Sequence, residues 1–145
     1  MRVTTKGEYG LRALVELAQH AGQGLLPSAT IAARQQIPEN YLSQLLLTLR
    51  KAGLVESVHG PAGGHMLARP ADTIDLGEVL TILEGPFLPM ECVTPGYDDC
   101  CMLEGCSIRD VWRDLKAATD EVLFSRTLAD LLPERTIDSP PMYYI

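Results

Sequence analysis

The segment between residues 39 and 69 constrains the fold most, because a helix with a leucine stripe is followed by a hairpin rich in glycine and proline. Helical spacing over residues 39–51 places four leucines on one face, and Gly53 ends the helix. The buried stripe is expected to consist of Leu42, Leu45, Leu46 and Leu49. Two short strand-like runs follow at residues 54–58 and 65–69, and the Gly- and Pro-rich residues between them predict a flexible hairpin tip.

Two further helical segments precede this unit. A capping box from Thr5 to Glu8 predicts the start of the first helix, and Ser28 is expected to cap the second. Ile37 and Pro38 then form the turn into the third helix. Three helices followed by a β-hairpin is the order of a winged helix-turn-helix, whose third helix enters the major groove of DNA. Small helical domains with a hairpin also serve as protein-interaction modules, so the order of elements leaves both readings open.

The distribution of charge favours DNA as the partner of the first half. The whole chain has 145 residues, a net charge of −7 and a pI near 4.8, which argues against a polyanionic partner. Residues 1–70, however, hold seven Lys and Arg against four acids, a net charge of +3, and residues 71–145 have a net charge of −10. Such asymmetry is typical of a half that faces nucleic acid and a half that faces solvent.

The second half is predicted to contain a long helix that pairs two subunits. Asp75 and Glu78 form a second capping box, whose helix ends at Gly85, and residues 86–106 show no periodicity. Ser107 is expected to cap the long helix, and Thr127 to start a last short turn. The apolar set of the long helix is Ile108, Val111, Trp112, Leu115, Ala118 and Val122. This stripe is expected to pack against a partner subunit, and the alternative is an internal amphipathic helix.

These patterns divide the chain into three parts and indicate its location in the cell. Residues 1–70 form the DNA-binding domain, residues 71–132 carry a sensing loop and a dimerisation helix, and residues 133–145 form a flexible tail. The longest stretch without charge, residues 17–33, contains Pro27, His20 and two glycines, so we expect no membrane span. The first residues lack the apolar core of a signal peptide, and we expect a cytoplasmic protein.

All four cysteines lie within fifteen residues, at positions 92, 100, 101 and 106. Disulfides are not expected in a chain without an export signal that is large enough to fold without them. Clustered thiols in a reducing compartment instead indicate a metal site or a redox-sensitive site. An iron–sulfur cluster, a thiol switch without a cluster and a zinc site all remain open, although structural zinc sites usually contain closely spaced cysteine pairs.

Several blocks of the sequence, in order, resemble the IscR/NsrR/RirA-type bacterial regulators, and the likeness covers about residues 1–132. The blocks are MRVTTKGEYGLRA at 1–13, LRKAGLVES at 49–57, GPAGG at 60–64, LARP at 67–70, LEGP at 83–86 and TLADL at 127–131. The resemblance implies a dimeric winged-helix DNA-binding protein. It also implies an iron–sulfur cluster, held between cysteines of one subunit and a residue of the other, that senses redox state, nitric oxide or iron status.

The resemblance assigns Cys92, Cys100 and Cys106 as the cluster ligands, with Cys101 as an alternative to Cys100. Either a [2Fe–2S] or a [4Fe–4S] cluster fits these thiolates. Part of the family has a histidine three residues after the last cysteine, where this chain has Arg109. Glu8 matches the position at which other members place an acidic ligand from the partner subunit, so it becomes the candidate fourth ligand. The alternative for Glu8 is a purely structural role in the capping box.

The candidate DNA-binding residues lie on the third helix and the hairpin. Asn40, Tyr41, Ser43 and Gln44 begin the recognition helix, and Gln and Asn side chains can bind adenine bidentately. Arg50, Lys51 and Arg69 are expected to contact phosphates, and His59 and Gly60 lie at the tip of the wing. His59 and His65 are read as phosphate contacts, with metal ligands as the alternative.

A symmetric dimer predicts a palindromic operator with half-sites about one helical turn (~34 Å) or a multiple of it apart. Motifs of hydrolases and phosphate-binding loops are absent, so the chain is expected not to be an enzyme. An iron–sulfur or thiol oxidoreductase is the distant alternative.

Overall fold

In the computed structural model, residues 2–99 and 105–133 are described. Within them, the first three helices are α1 (Thr5–Gln19), α2 (Ser28–Gln35) and α3 (Glu39–Lys51). An antiparallel hairpin of β1 (Val55–Val58) and β2 (Gly64–Leu67) follows, and then α4 (Leu76–Glu84) and α5 (Ser107–Ser125). Short 3₁₀ turns lie at Ala71–Thr73, Glu91–Val93 and Leu128–Leu131. The predicted order of a mainly α-helical winged helix-turn-helix with a long last helix is confirmed.

The helix-turn-helix unit follows from the leucine stripe and from a left-handed turn residue. Gln36 has φ of 53°, and the amide of Ile37 donates to the carbonyl of Ala32 at 3.0 Å, so the chain reverses within two residues. Pro38 then precedes α3, whose bounds agree with the prediction. All four leucines of the predicted stripe are at most 2% exposed. The opposite face of α3 is therefore fixed toward solvent.

The hairpin is tied to the rest of the domain through a third backbone segment. Val55 pairs with Leu67 and Val58 with Gly64, so both strands are shorter than predicted. The amide of Leu26 donates to the carbonyl of His65 at 2.8 Å, and the reverse bond measures 2.9 Å. A Cβ on Gly64 would lie 2.8 Å from the carbonyl of Leu26, so this close approach requires glycine.

One hydrophobic core extends across the predicted domain boundary at residue 70. Ile74 and Val79 of the second half and Leu128 after α5 are fully buried among the leucines of α1 and α3. The amide of Leu128 donates to the carbonyl of Ile74 at 2.9 Å. Residues 71–83 and 126–131 therefore pack against the predicted DNA-binding domain. Residues 134–145 of the predicted tail lie outside the described residues.

The start of α1 differs from the predicted capping box. Thr4, not Thr5, is the N-cap residue, and the Glu8 carboxylate binds Arg12 at 2.6 Å instead of reaching back. The Thr4 hydroxyl accepts from the amide of Lys6 at 3.3 Å, and a further cap comes from α4. The Glu84 carboxylate accepts hydrogen bonds from the amide of Thr4 (2.9 Å), its hydroxyl (2.6 Å) and the amide of Gly7 (2.8 Å). An acid on another helix thus occupies the place that local spacing gives to Glu8.

At the other helix starts, some predicted N-cap residues are confirmed and others are wrong. Pro27 and Cys106 are the N-cap residues of α2 and α5, so the prediction of Ser28 and Ser107 as caps is wrong by one residue. Asp75 caps α4 by accepting from the amide of Glu78 at 2.6 Å, but Glu78 pairs with Arg69 instead of completing the box. The capping box at the 3₁₀ turn after α5 is complete, because Thr127 and Asp130 bond reciprocally.

None of the helices in residues 2–99 and 105–133 is long and apolar enough to cross a membrane.

Replacing Glu84 by alanine should destabilise the domain by about 1 kcal/mol at neutral pH, the usual loss for an N-terminal helix cap. The hydrogen bonds from Thr4 and Gly7 hold the pKa of Glu84 below its ordinary value of 4.5, outweighing the opposing effect of burial. The stabilisation is therefore present above about pH 4.5 and is lost as the pH falls through the lowered pKa. Urea unfolding of the variant and the wild type across this range measures the difference. Glu56→Ala, at an exposed carboxylate of β1, should leave the stability nearly unchanged, and an equal loss would contradict the capping role.

Candidate DNA interface and cysteine loop

The outward face of α3 presents side chains suited to reading base edges. Asn40, Ser43 and Gln44 are exposed, and the amides of Asn40 and Gln44 are not engaged by other side chains in the described part of the chain. The Ser43 hydroxyl donates to the carbonyl of Glu39 at 3.0 Å. The two amides are thus the groups of this face whose donors and acceptors are available for bases.

Tyr41, another predicted DNA contact, also serves the packing of the domain. Its ring lies edge-on to that of Tyr9, with a centroid distance of 6.0 Å, and Arg12 lies over the Tyr9 ring at 5.8 Å. Tyr41 is half-buried and packs against the core. It therefore joins α3 to α1 whatever it contributes to DNA binding.

The three cations that were expected on phosphates differ in their partners. Arg50 and Lys51 are exposed at the end of α3 and form no ion pair within the described residues. Arg69 instead binds both carboxylate oxygens of Glu78, at 2.7 and 3.2 Å, and also donates to the carbonyl of Thr73. The hydrogen bond to Glu78 raises the pKa of Arg69. Arg69 therefore joins the segment after the hairpin to the first turn of α4.

A hollow of about 350 Å³ lies between α3 and the hairpin, and we call it the wing cleft. Its lining residues are Ser28, Ser43, Leu47, Arg50, Ser57, His59 and His65. Gly60, beside His59, has φ of 109°, which lets the tip of the wing turn. Sequence reasoning missed Ser28 and Ser57. The strand alternation offered a signal for Ser57, since it lies directly opposite His65 in the hairpin.

His65 is the residue of the wing cleft whose pKa is shifted by its surroundings. Its Nδ1 lies 2.6 Å from the Oγ of Ser57. Burial lowers the pKa of His65, and the nearby charges of His59 and Arg50 lower it further. Among the described residues, no group of three side chains could hold a metal ion. A metal site at His59 and His65 would therefore lack a third ligand from the described residues.

The structure brings two of the predicted cluster ligands to one hollow. Cys92, in the 3₁₀ turn before the long helix, and Cys106, the N-cap residue of α5, are free thiols of intermediate exposure. Both line an open hollow of about 610 Å³, together with Tyr97, Arg109 and Trp112. Cys100 and Cys101 lie outside the described residues, so the choice between them stays a prediction. Two thiols beside the positive end of a helix dipole fit an anionic iron–sulfur group.

Arg109 holds this loop in place. Its Nε and Nη2 atoms donate to the carbonyl of Cys92 at 3.2 and 3.0 Å, which ties the 3₁₀ turn to the first turn of α5. Sequence reasoning considered Arg109 only as the position that lacks a histidine. A long-range bond from a guanidinium to a backbone carbonyl carries no spacing signal that could have revealed it.

Glu8 and the apolar stripe of α5 face outward from the protomer. Glu8 lies in the first turn of α1 with its exposed carboxylate paired to Arg12, and it does not line the cysteine hollow of its own chain. No described residue of α5 is buried. The exposed fractions are 60% for Ile108, 58% for Val111, 43% for Leu115 and 53% for Val122. These four members of the predicted stripe are therefore uncovered within one protomer, whereas Trp112 is half-buried and lines the cysteine hollow.

Comparison with known proteins agrees with this geometry. Residues 3–134 match the Rrf2 family, described as iron-dependent transcriptional regulators. The transcriptional regulator IscR of Erwinia tasmaniensis is 39% identical over 137 residues, covering 94% of this chain and 82% of that protein.

Two solved structures are similar along most of the chain. CymR of B. subtilis, described as its global cysteine regulator, has a TM-score of 0.76 and 38% identity, covering 90% of this chain and 95% of the other. IscR of T. potens has a TM-score of 0.75 and 40% identity, covering 99% and 97%.

These relatives are transcription regulators and not enzymes, and the predicted resemblance to IscR-type regulators is confirmed. The exposed recognition helix, the hairpin wing and the family match over residues 3–134 lead to one conclusion: the chain belongs to the Rrf2 family and is a DNA-binding transcriptional regulator.

Proposed function

We propose that the DNA affinity of this regulator is controlled by an iron–sulfur cluster bound at Cys92, Cys100 and Cys106. The observation that carries the proposal is the shared hollow of Cys92 and Cys106 at the start of α5. The similarity to IscR proteins and to a family described as iron-dependent supports it. When bound, the cluster supplies iron–thiolate bonds that respond to oxidation, nitric oxide or iron supply.

The residues of the loop have separate parts in this function. The thiolates bind iron, and Arg109 positions Cys92 through its backbone carbonyl. Glu8 of the partner subunit completes the ligand set in this proposal. A carboxylate is a harder ligand for iron than a thiolate, so Glu8 would bind a cluster less firmly than the cysteines. Its release would separate the sensing loop of one subunit from α1 of the other.

A homodimer in the cytoplasm is part of the same proposal. The uncovered apolar stripe of α5 supports pairing of two long helices, which spaces the two recognition helices. The expected operator is a palindrome with half-sites about 34 Å or a multiple of that distance apart. By linkage, the cluster changes DNA affinity only as far as it stabilises one spacing of the recognition helices over another.

A thiol switch without a cluster is the second candidate. The observation that favours it is that Cys92 and Cys106 are free, partly exposed thiols, and such thiols can oxidise. A similar solved structure, CymR of Staphylococcus aureus, is described as an oxidized form, which supports the same interpretation. Both candidates involve the same loop and differ in whether iron is bound.

Cysteine variants purified under strict anaerobiosis test the cluster. Cys92→Ala, Cys100→Ala and Cys106→Ala should each abolish the visible absorbance and the bound iron, because each removes a thiolate ligand. Cys101→Ala is the matched control and should stay coloured. Glu8→Ala should retain a more labile cluster and show altered DNA affinity. Iron analysis and absorbance spectra are the measurements.

The contrary outcomes are distinct. A coloured Cys100 variant beside a colourless Cys101 variant would reverse the ligand assignment. Iron-free wild-type protein from anaerobic cells would support the thiol switch, and one bound zinc ion per chain in that protein would identify a zinc site.

Base reading by α3 is tested with Gln44→Ala and Lys51→Ala. Gln44→Ala should reduce affinity by about 1–3 kcal/mol on the selected operator only, since it removes a bidentate base contact. Lys51→Ala should weaken binding on all sequences and lower the salt slope by about one. Fluorescence anisotropy on operator and scrambled duplexes separates the two effects. An equal loss on both duplexes for Gln44→Ala would contradict base reading.

Dimerisation through α5 is tested by placing a charge in its apolar stripe. Val111→Asp should shift the protein to monomers and reduce operator affinity by at least tenfold, because a buried unpaired carboxylate opposes association. Ala117→Asp adds the same charge on the opposite face of the exposed helix and should leave the dimer intact. Light scattering after size exclusion measures the mass. A dimeric Val111 variant would show that another surface pairs the subunits.

A further inference from the structure

The wing cleft is lined by donors and cations in a strongly acidic protein. The chain carries 19 acids and a net charge of −7, yet no carboxylate is among the described residues that line the cleft. Arg50 comes from α3, and His59 and His65 come from the wing. Three serine hydroxyls complete the polar lining. This composition selects an anion, because cations are concentrated here without carboxylates to neutralise them.

The position of the cleft identifies which anion can reach it. A winged helix places its recognition helix in the major groove and its wing beside the adjacent backbone or minor groove. The space between the two elements therefore straddles a sugar–phosphate strand. Arg50 is exposed at the end of α3, and His59 is exposed at the tip of the wing. A backbone phosphate of bound DNA is thus the occupant that fits both the charge and the location.

His65 is arranged to donate a hydrogen bond to such a phosphate. Its Nδ1 lies 2.6 Å from the Oγ of Ser57, so Ser57 occupies one ring nitrogen. In the neutral ring, a Ser57 hydroxyl that donates to Nδ1 leaves the proton on Nε2. In the charged ring, Nδ1–H donates to the Ser57 oxygen and Nε2–H remains a donor. An anion beside Nε2 can therefore accept a hydrogen bond from the ring in both protonation states. Its negative charge favours the charged imidazolium.

The surroundings of His65 in free protein oppose its charge. Burial lowers the pKa of His65, and the positive groups His59 and Arg50 lower it further. On the other side of the hairpin, His65 also lines a hollow with His20 of α1 and with Arg69, and no described residue lining that hollow is an acid. A phosphate in the wing cleft would supply the missing negative charge. DNA binding would then shift the pKa of His65 upward.

We propose that the wing cleft binds a DNA backbone phosphate and that His65 takes up a proton when the phosphate enters. The proposal rests on the DNA-binding function and adds a proton to the binding reaction. Arg50 provides the permanent charge, His65 the titratable one, and Ser57 orients the imidazole. Since the complex binds more protons than the free components, affinity rises as the pH falls through the range in which His65 titrates.

The test measures operator affinity between about pH 8 and pH 6 at constant ionic strength. Wild-type protein should bind about three- to tenfold more tightly at the lower pH, as one linked proton allows. His65→Gln retains a polar side chain but does not titrate, and its pH dependence should fall well below that of the wild type. His59→Gln, measured in the same way, identifies any part due to the other histidine of the cleft. His20→Gln is the matched control, because this histidine lies outside the wing cleft, and it should keep the wild-type dependence.

Two further measurements keep the test decisive if His65→Gln folds poorly. NMR titration of the imidazole should show a higher pKa for His65 in the DNA complex than in free protein. Ser57→Ala keeps the ring but removes the acceptor for Nδ1–H, so the rise in affinity should move to lower pH. Circular dichroism confirms that each variant is folded.

The outcomes separate this proposal from the function on which it rests. A wild-type protein that binds its operator with the same affinity at both pH values, or an unchanged pH dependence in His65→Gln, would overturn proton uptake while leaving DNA binding intact. A wild-type protein that binds no duplex at any pH would overturn both.

Discussion

The carboxylate of Glu84 fixes how the end of α4 meets the start of α1, and it adds directional hydrogen bonds to the hydrophobic core that the two halves of the molecule share. Three hydrogen bonds from Thr4 and Gly7 converge on one oxygen of this side chain. An added Cβ on Gly7 would lie 2.8 Å from the same oxygen, so a larger residue here would displace the Glu84 carboxylate. The next residues, Gly85 and Pro86, begin the cysteine loop. In the proposed regulation, a displacement of that loop would be passed to the first turn of α1, which also carries Glu8.

The cysteine loop is also held at its other end, where it meets α5. Arg109 binds the carbonyl of Cys92, and the ring of Phe124 lies so close to Gly77 that a Cβ there would be 2.5 Å from the ring. After α5, Leu128 returns to the core of the DNA-binding unit. The loop therefore connects α4, which packs on α1 and α3, to α5, which packs on α4. In the proposed regulation, a ligand that changes the loop would act on the recognition helix through α4.

Sequence reasoning predicted those elements whose cause is local. α3 was predictable to the residue, because the leucine stripe, the turn before it and Gly53 after it all lie within one segment. Features decided by distant partners were not predictable: the acid that caps α1 lies 80 residues away from Thr4. Arg69 illustrates the same limit at the candidate site, since charge alone suggested a phosphate contact while its partner Glu78 belongs to the next helix. The cysteine spacing identified the loop but not Arg109, which holds it.

Ion pairing also changes how the positive charge of the first half should be understood. Three of its seven cations, Arg12, Arg34 and Arg69, are paired with acids among the described residues. At the recognition helix this leaves Arg50 and Lys51 as the permanent positive charges without an acidic partner among the described residues. With few unpaired cations at this surface, we expect non-specific attraction to be weak, so that binding would depend on base contacts and on each additional charge. A single protonated imidazole beside Arg50 then adds a large fraction of the local positive charge, which is why a histidine in the wing matters more here than it would on a strongly basic surface.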